Sequence, residues 1–185
     1  KVLRWLGPCL YAGEGSFGGQ KDEALFPGLE YLVDDEVSSD TRFAAEKYAN
    51  RLVPHAYKIT MPLMAVSFEG RAVGLMWEPN RAWEAAWRHP AAMFSSPNRS
   101  NKKAKNHWLA LSTPSVEPRW RNEGDLEAHK AVGISPKNPH HLAARLIATP
   151  EGGVNAVLRE WVAAKGLPSL PDGGQSYRDN IELCI

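Results

Sequence analysis

Apolar positions recur along this chain with two different periods. Over residues 154–165 the spacing is helical, with Val154, Val157, Leu158, Trp161 and Val162 forming one stripe. Gly166 and Pro168 then stop the helix. Elsewhere the apolar residues come in short runs cut by Pro and Gly, which is strand patterning. Residues 2–6 and 9–11 read as two strand pieces around the Gly7-Pro8 break, and Pro27-Gly28 turns the chain into a short strand ending at Val33. The strongest local signal is a hairpin. Its arms are 57–68 and 71–77, and Glu69-Gly70 is the turn. Pro62 has no N–H, so it belongs at a strand start, bulge or edge, and the run 62–66 predicts burial on both faces. Residues 91–96, 107–112 and 142–148 complete the strands, whereas 40–50 is polar and weakly patterned, with room for one helical turn.

This pattern predicts a mainly β protein, an antiparallel β-sandwich with one C-terminal amphipathic helix. Residues 1–150 would form the sandwich, and 151–185 the helix and a linker. Two positions suit the helix: a cap on the open face of a sheet, or the first element of a following helical domain. The Pro- and Gly-rich stretch 167–176 and the second amphipathic start at Tyr177 favour the latter. The chain begins at Lys1 and ends inside that amphipathic run, as a piece of a larger protein would.

Composition narrows the function classes. The chain carries 22 basic and 21 acidic residues, without the positive excess that displaces counterions from nucleic acid. Its one basic cluster, Lys102, Lys103 and Lys105, reads as a solvated loop. No apolar run reaches the ~20 residues of a membrane span. Cys9 and Cys184 stand near opposite ends, with no CxxC pair, and the six histidines show no HExxH. Neither a metal nor a cofactor is expected. The acidic run Asp34-Asp35-Glu36 offers oxygen ligands for Ca²⁺ but lacks EF-hand spacing, and a solvated acidic loop accounts for it. The glycine-rich stretch 13–19 matches no phosphate-loop spacing, and no GxSxG nucleophile elbow is present.

Several strings together carry a family resemblance. Leu10-Tyr11-Ala12-Gly13-Glu14-Gly15-Ser16-Phe17-Gly18 and Leu25-Phe26-Pro27-Gly28-Leu29-Glu30-Tyr31-Leu32 form one block. Pro62-Leu63-Met64-Ala65-Val66 with Val73-Gly74-Leu75-Met76-Trp77-Glu78-Pro79 form a second. Phe94-Ser95-Ser96-Pro97-Asn98, Asn106-His107-Trp108-Leu109-Ala110-Leu111 and Gly166-Leu167-Pro168 complete the set. Over most of its length the chain thus resembles the β-supersandwich portion of large, poorly characterised bacterial glycoside-hydrolase-like proteins, in which an (α/α) toroid follows. The resemblance implies a carbohydrate-active, extracytoplasmic or secreted setting. It also implies a C-terminal helical domain as partner, and catalytic residues of a glycoside hydrolase or polysaccharide lyase that lie outside this chain. The sandwich would contribute to a saccharide cleft.

In that setting the acids to consider are Glu14, Glu30, Asp34, Asp35, Glu36 and Glu78, because glycoside hydrolysis needs two carboxyl groups flanking the sugar. Glu30, Asp35 and Glu78 are the candidates carried forward. Glu30 and Glu78 adjoin Tyr31 and Trp77 at strand ends, where desolvation raises a carboxyl pKa. Trp83 and Trp87, four apart in a loop, are candidate sugar-stacking platforms, whereas Trp77 and Trp108 fall on strands and read as core. Asn98 and His107 bracket the basic loop and are candidate ligand hydrogen-bonders, with fixing of that loop as the structural counterpart. Two other readings compete with the enzyme fragment: a non-catalytic carbohydrate-binding or domain-interface module, and a protein-interaction module built on the Trp-rich loop.

Overall fold

A computed structural model describes residues 1–2, 5–38, 51–53 (backbone only), 59–78, 90–96, 106–113 and 133–166. Strands β1 (Trp5–Gly13), β4 (Arg51–Val53), β7 (Ala91–Ser95) and β8 (Asn106–Thr113) form one antiparallel sheet in the order β1-β8-β7-β4. Strands β2 (Glu23–Phe26), β3 (Glu30–Val33), β5 (Leu63–Phe68), β6 (Arg71–Trp77) and β9 (Ala144–Thr149) form a second, in the order β3-β2-β5-β6-β9. The single helix among the described residues is α1 (Gly153–Lys165), and it is not long and apolar enough to cross a membrane. The protein is a mainly β, sandwich-like fold with one C-terminal helix.

The β5–β6 hairpin forms about the turn its sequence predicts, with a first arm shorter than the expected 57–68: the strand begins at Leu63, and residues 59–62 lie outside it. Phe68 pairs with Arg71 across a two-residue loop, and Glu69 (φ 53°) and Gly70 (φ 75°) both take the left-handed conformation that a type I′ turn requires. Asp22 Oδ2 accepts the Gly70 N–H at 2.9 Å, and Gly70 O accepts the Gly153 N–H at 2.8 Å, so sheet, turn and helix start are tied together. Pro62 lies immediately before β5, and its carbonyl accepts the Trp77 N–H at 3.1 Å.

Every residue of β5 is buried, because both faces of its sheet are covered. Met64, Val66 and Phe68 join Phe26, Leu75, Trp77, Phe94, Leu109 and Leu111 between the two sheets. Leu63 and Ala65 join Leu25, Met76, Val154 and Val157 under the helix, with Ile147, Leu158 and Trp161 at the margin. Of the two positions considered for the helix, it takes the cap on the sheet. Its stripe needs an apolar surface, and β5, β6 and β9 present one.

Three strand expectations change. The first strand is continuous through Gly7-Pro8, with a register shift between Leu6 and Cys9. The Pro27-Gly28 turn joins two strands, β2 and β3, where patterning marks only the second. Arg51–Val53 pairs with β7, although three residues are too few to show a period.

Gly74 of β6 lies against the helix, and a Cβ there would overlap Val157 Cγ1. Gly74→Ala should destabilise the fold by about 1–3 kcal/mol in denaturant unfolding. Adding Val157→Ala should recover part of that loss, because the two sites share one contact. Simple additivity of the two substitutions would contradict this packing.

Candidate functional site

The two ends of the sandwich differ. At the end where β8 begins, polar groups close the interior. Lys21 is 3% exposed, and its ammonium donates to the carbonyls of Asp34 at 2.5 Å and Glu36 at 2.6 Å. Burial pushes its pKa down, and the Asp35, Glu36 and Asp34 carboxylates oppose that shift. The acidic run considered for Ca²⁺ therefore wraps a lysine, and no group of three metal-ligating side chains occurs among the described residues.

Beside it, Ser38 and Ser96 are joined by two hydrogen bonds. The Ser38 N–H donates to Ser96 O at 2.7 Å, and the Ser96 N–H to Ser38 Oγ at 2.8 Å. Ser96 Oγ lies 2.6 Å from His107 Nδ1. The His107 ring packs on Phe68 (centroids 5.3 Å apart), is 3% exposed, and its Nε2 has no hydrogen-bond partner among the described residues. Burial, and secondarily the Lys21 ammonium, push its pKa down to about 4. His107 thus tethers the two roots of the basic loop from inside the sandwich. Asn98 lies outside the described residues.

At the opposite end, where β8 finishes, the interior opens into a cleft of about 400 Å³. Val2, Trp5, Thr113, Ile134, His140 and Leu142 are its described lining. Trp5 pairs with Thr113 across β1 and β8, and its indole is 54% exposed. The Thr113 hydroxyl is hydrogen-bonded to His140 Nε2, so a polar pair is set into an otherwise apolar wall. That combination, an exposed aromatic face with a few fixed hydrogen-bonding groups, is the composition of a small-ligand site.

The proposed acids do not gather there. Glu30 opens β3, alternates with exposed Tyr31, and is buried on the inner face at the cleft end. Glu78 follows β6 at that same end but is ion-paired with Lys165 of the helix, on the outer side. Three inter-strand steps, β3-β2-β5-β6, separate them, about 14 Å at the usual strand spacing. Asp35 is exposed in the turn after β3, at the other end. A hydrolytic pair stands roughly 5–10 Å apart, and register alone keeps these three from forming one.

Trp77 is core as expected, whereas Trp108 projects from the outer face of β8 and lies nearly parallel to Tyr11 (10°, centroids 6.1 Å apart). Trp83 and Trp87 lie outside the described residues. The described flanks of their segment, Glu78 and Pro90, both lie at the cleft end, since Pro90 precedes Ala91 and Ala91 pairs with Ser112. Sequence reasoning did not find the cleft, because its lining comes from residues 2–5, 113 and 134–142, brought together by strand pairing. The signals the sequence carried were a tryptophan in the run 2–6 and the dipeptide His140-His141.

No protein-family model, curated protein or solved structure matches this chain.

The His107 environment fixes a pH dependence. Its folded pKa is about 4, below the 6.5 of an unfolded histidine, so the unfolded state binds the extra proton first. Stability is complete above pH 6.5 and falls as pH drops from 6.5 towards 4, by about 3 kcal/mol in all. Unfolding free energies of wild type and His107→Asn, measured from pH 7.5 to 4.5, should differ in slope over that window; parallel curves would refute the assignment.

Proposed function

We propose that this chain is the β-sandwich part of a carbohydrate-active protein and that it contacts a saccharide at its cleft end. The half-exposed Trp5 indole beside the Thr113–His140 pair carries this reading. An indole face packs against pyranose C–H groups, and a fixed hydroxyl and imidazole satisfy sugar hydroxyls that the cleft desolvates. Ile134, Leu142 and Val2 exclude water from the rest of the contact. Glu30, Asp35 and Glu78 form no pair at hydrolytic spacing, so the sandwich is assigned binding and positioning. Catalytic acids would come from a helical domain of the parent protein, in an extracytoplasmic setting.

A domain-interface role is the second reading. Tyr31, 68% exposed, and half-exposed Val33 lie on edge strand β3 and leave an apolar strip on the surface. An interface with another domain would cover such a strip.

Titration with soluble gluco-, xylo-, manno- and galacto-oligosaccharides, followed by tryptophan fluorescence and calorimetry, tests the saccharide reading. At least one class should bind, and Trp5→Ala should weaken it by about tenfold or more (about 1.4 kcal/mol per decade) without changing the unfolding midpoint. Binding by no class, or binding indifferent to Trp5, removes this reading and leaves the interface.

A further inference from the structure

We infer, resting on the saccharide reading of the cleft, that a β-bulge at Gly7-Pro8 aims Trp5 into it. Gly7 is the positioning residue that seats the indole and leaves one face of it for a single pyranose ring laid flat.

Trp5 pairs with Thr113, Leu6 with Ser112 and Cys9 with Ala110. Two residues of β1, Gly7 and Pro8, therefore stand opposite one residue of β8, Leu111, which is the count of a β-bulge. Pro8, with no N–H to give to the ladder, suits such a position. In an unbroken strand Trp5 and Cys9, four residues apart, would share a face. Their partners Thr113 and Ala110 are three apart, so here they do not. Trp5 joins Thr113 on the inner face, where Leu109 and Leu111 of β8 are core. Cys9 and Tyr11 go to the outer face with Trp108. The extra residue decides which face the tryptophan occupies. Without it, the same strand would carry the indole on the outer face, away from the cleft.

Gly7 then sets the orientation of the ring. It is buried, although Trp5 and Leu6 before it are exposed. A Cβ at this position would lie 2.8 Å from both Cζ2 and Cη2 of Trp5 and 3.4 Å from Cε2. An approach in the ring plane would leave Cε2 farther off, so the face of the six-membered ring rests on Gly7. No side chain fits between ring and strand. The indole is nevertheless 54% exposed, so its opposite face is what the cleft presents, beside the Thr113–His140 pair. A ring supported on one side and open on the other takes one sugar by stacking on its C–H groups. Support from the strand also lowers the side-chain entropy lost when the ligand docks. A methyl group at position 7 would have to lift the ring, because the half-exposed indole yields more readily than the paired strand.

The experiment compares wild type, Gly7→Ala, Trp5→Ala and the double variant. Three readouts apply: the indole Nε1–H resonance of Trp5, identified by its loss in Trp5→Ala; denaturant unfolding; and calorimetry with whichever gluco-, xylo-, manno- or galacto-oligosaccharide binds wild type. Gly7→Ala should shift the Trp5 resonance and weaken the oligosaccharide by about fivefold or more. The double variant should bind no more weakly than Trp5→Ala alone, because the seat acts only through the indole. It should also recover part of the stability that Gly7→Ala loses. If Gly7→Ala alone does not fold, the double variant should, and its failure to fold overturns the seat. An unmoved resonance, or strictly additive losses in the double variant, likewise overturns it. Wild-type affinity in Gly7→Ala, with Trp5→Ala weakened, overturns the seat and spares the saccharide reading. Binding of none of the four classes by wild type overturns both.

Discussion

The structure depends on the β5–β6 hairpin being buried from both sides. Its inner residues fill the space between two sheets and its outer residues lie under a helix, so one six-residue strand, Leu63–Phe68, belongs to two cores at once. Each large apolar side chain buried there contributes about 1.5–3 kcal/mol, and the strand gains it on both faces along its whole length. Helix α1 is held in place chiefly by this arrangement. Its stripe covers the sheet closely enough that Gly74 has no room for a methyl group, and its first N–H is bonded to the hairpin turn.

With the middle of the sandwich occupied, its two ends differ in what they leave open. One end is sealed by groups that are costly to bury and are therefore paired: a lysine wrapped by backbone carbonyls, and two serines bonded to each other and to a histidine. The neutral state of His107 follows from that setting, since a second cation beside Lys21 would find no solvent. The other end remains open. There the pairing of β1 with β8 sets a tryptophan beside a threonine, and the 133–143 segment brings a histidine to the same place.

The acids illustrate how a motif can be visible and its geometry hidden. Glu30 and Glu78 each adjoin an aromatic residue at a strand end, and in a linear sequence their settings look alike. In the sheet they stand three strands apart, one facing inward and the other paired with the helix. His107 is the same kind of case. Its position beside a polar loop suggests an exposed donor, but strand alternation turns it inward with Leu109 and Leu111.

The sequence by itself determined the elements whose causes are local. A type I′ turn needs residues that tolerate positive φ, and Glu69-Gly70 between two β-rich arms meets that need. A 3.6-residue apolar stripe closed by Gly166 and Pro168 makes α1, and the unbroken apolar run before Val66 forecasts a strand covered on both faces. Only the tertiary structure decided where α1 packs, that Arg51–Val53 is a strand, and that Trp5, Thr113 and His140 share a cleft. The physical reason is that these outcomes arise from pairing between residues far apart in the chain. Such register is chosen by the whole apolar interior at once, and no single segment of the sequence contains it.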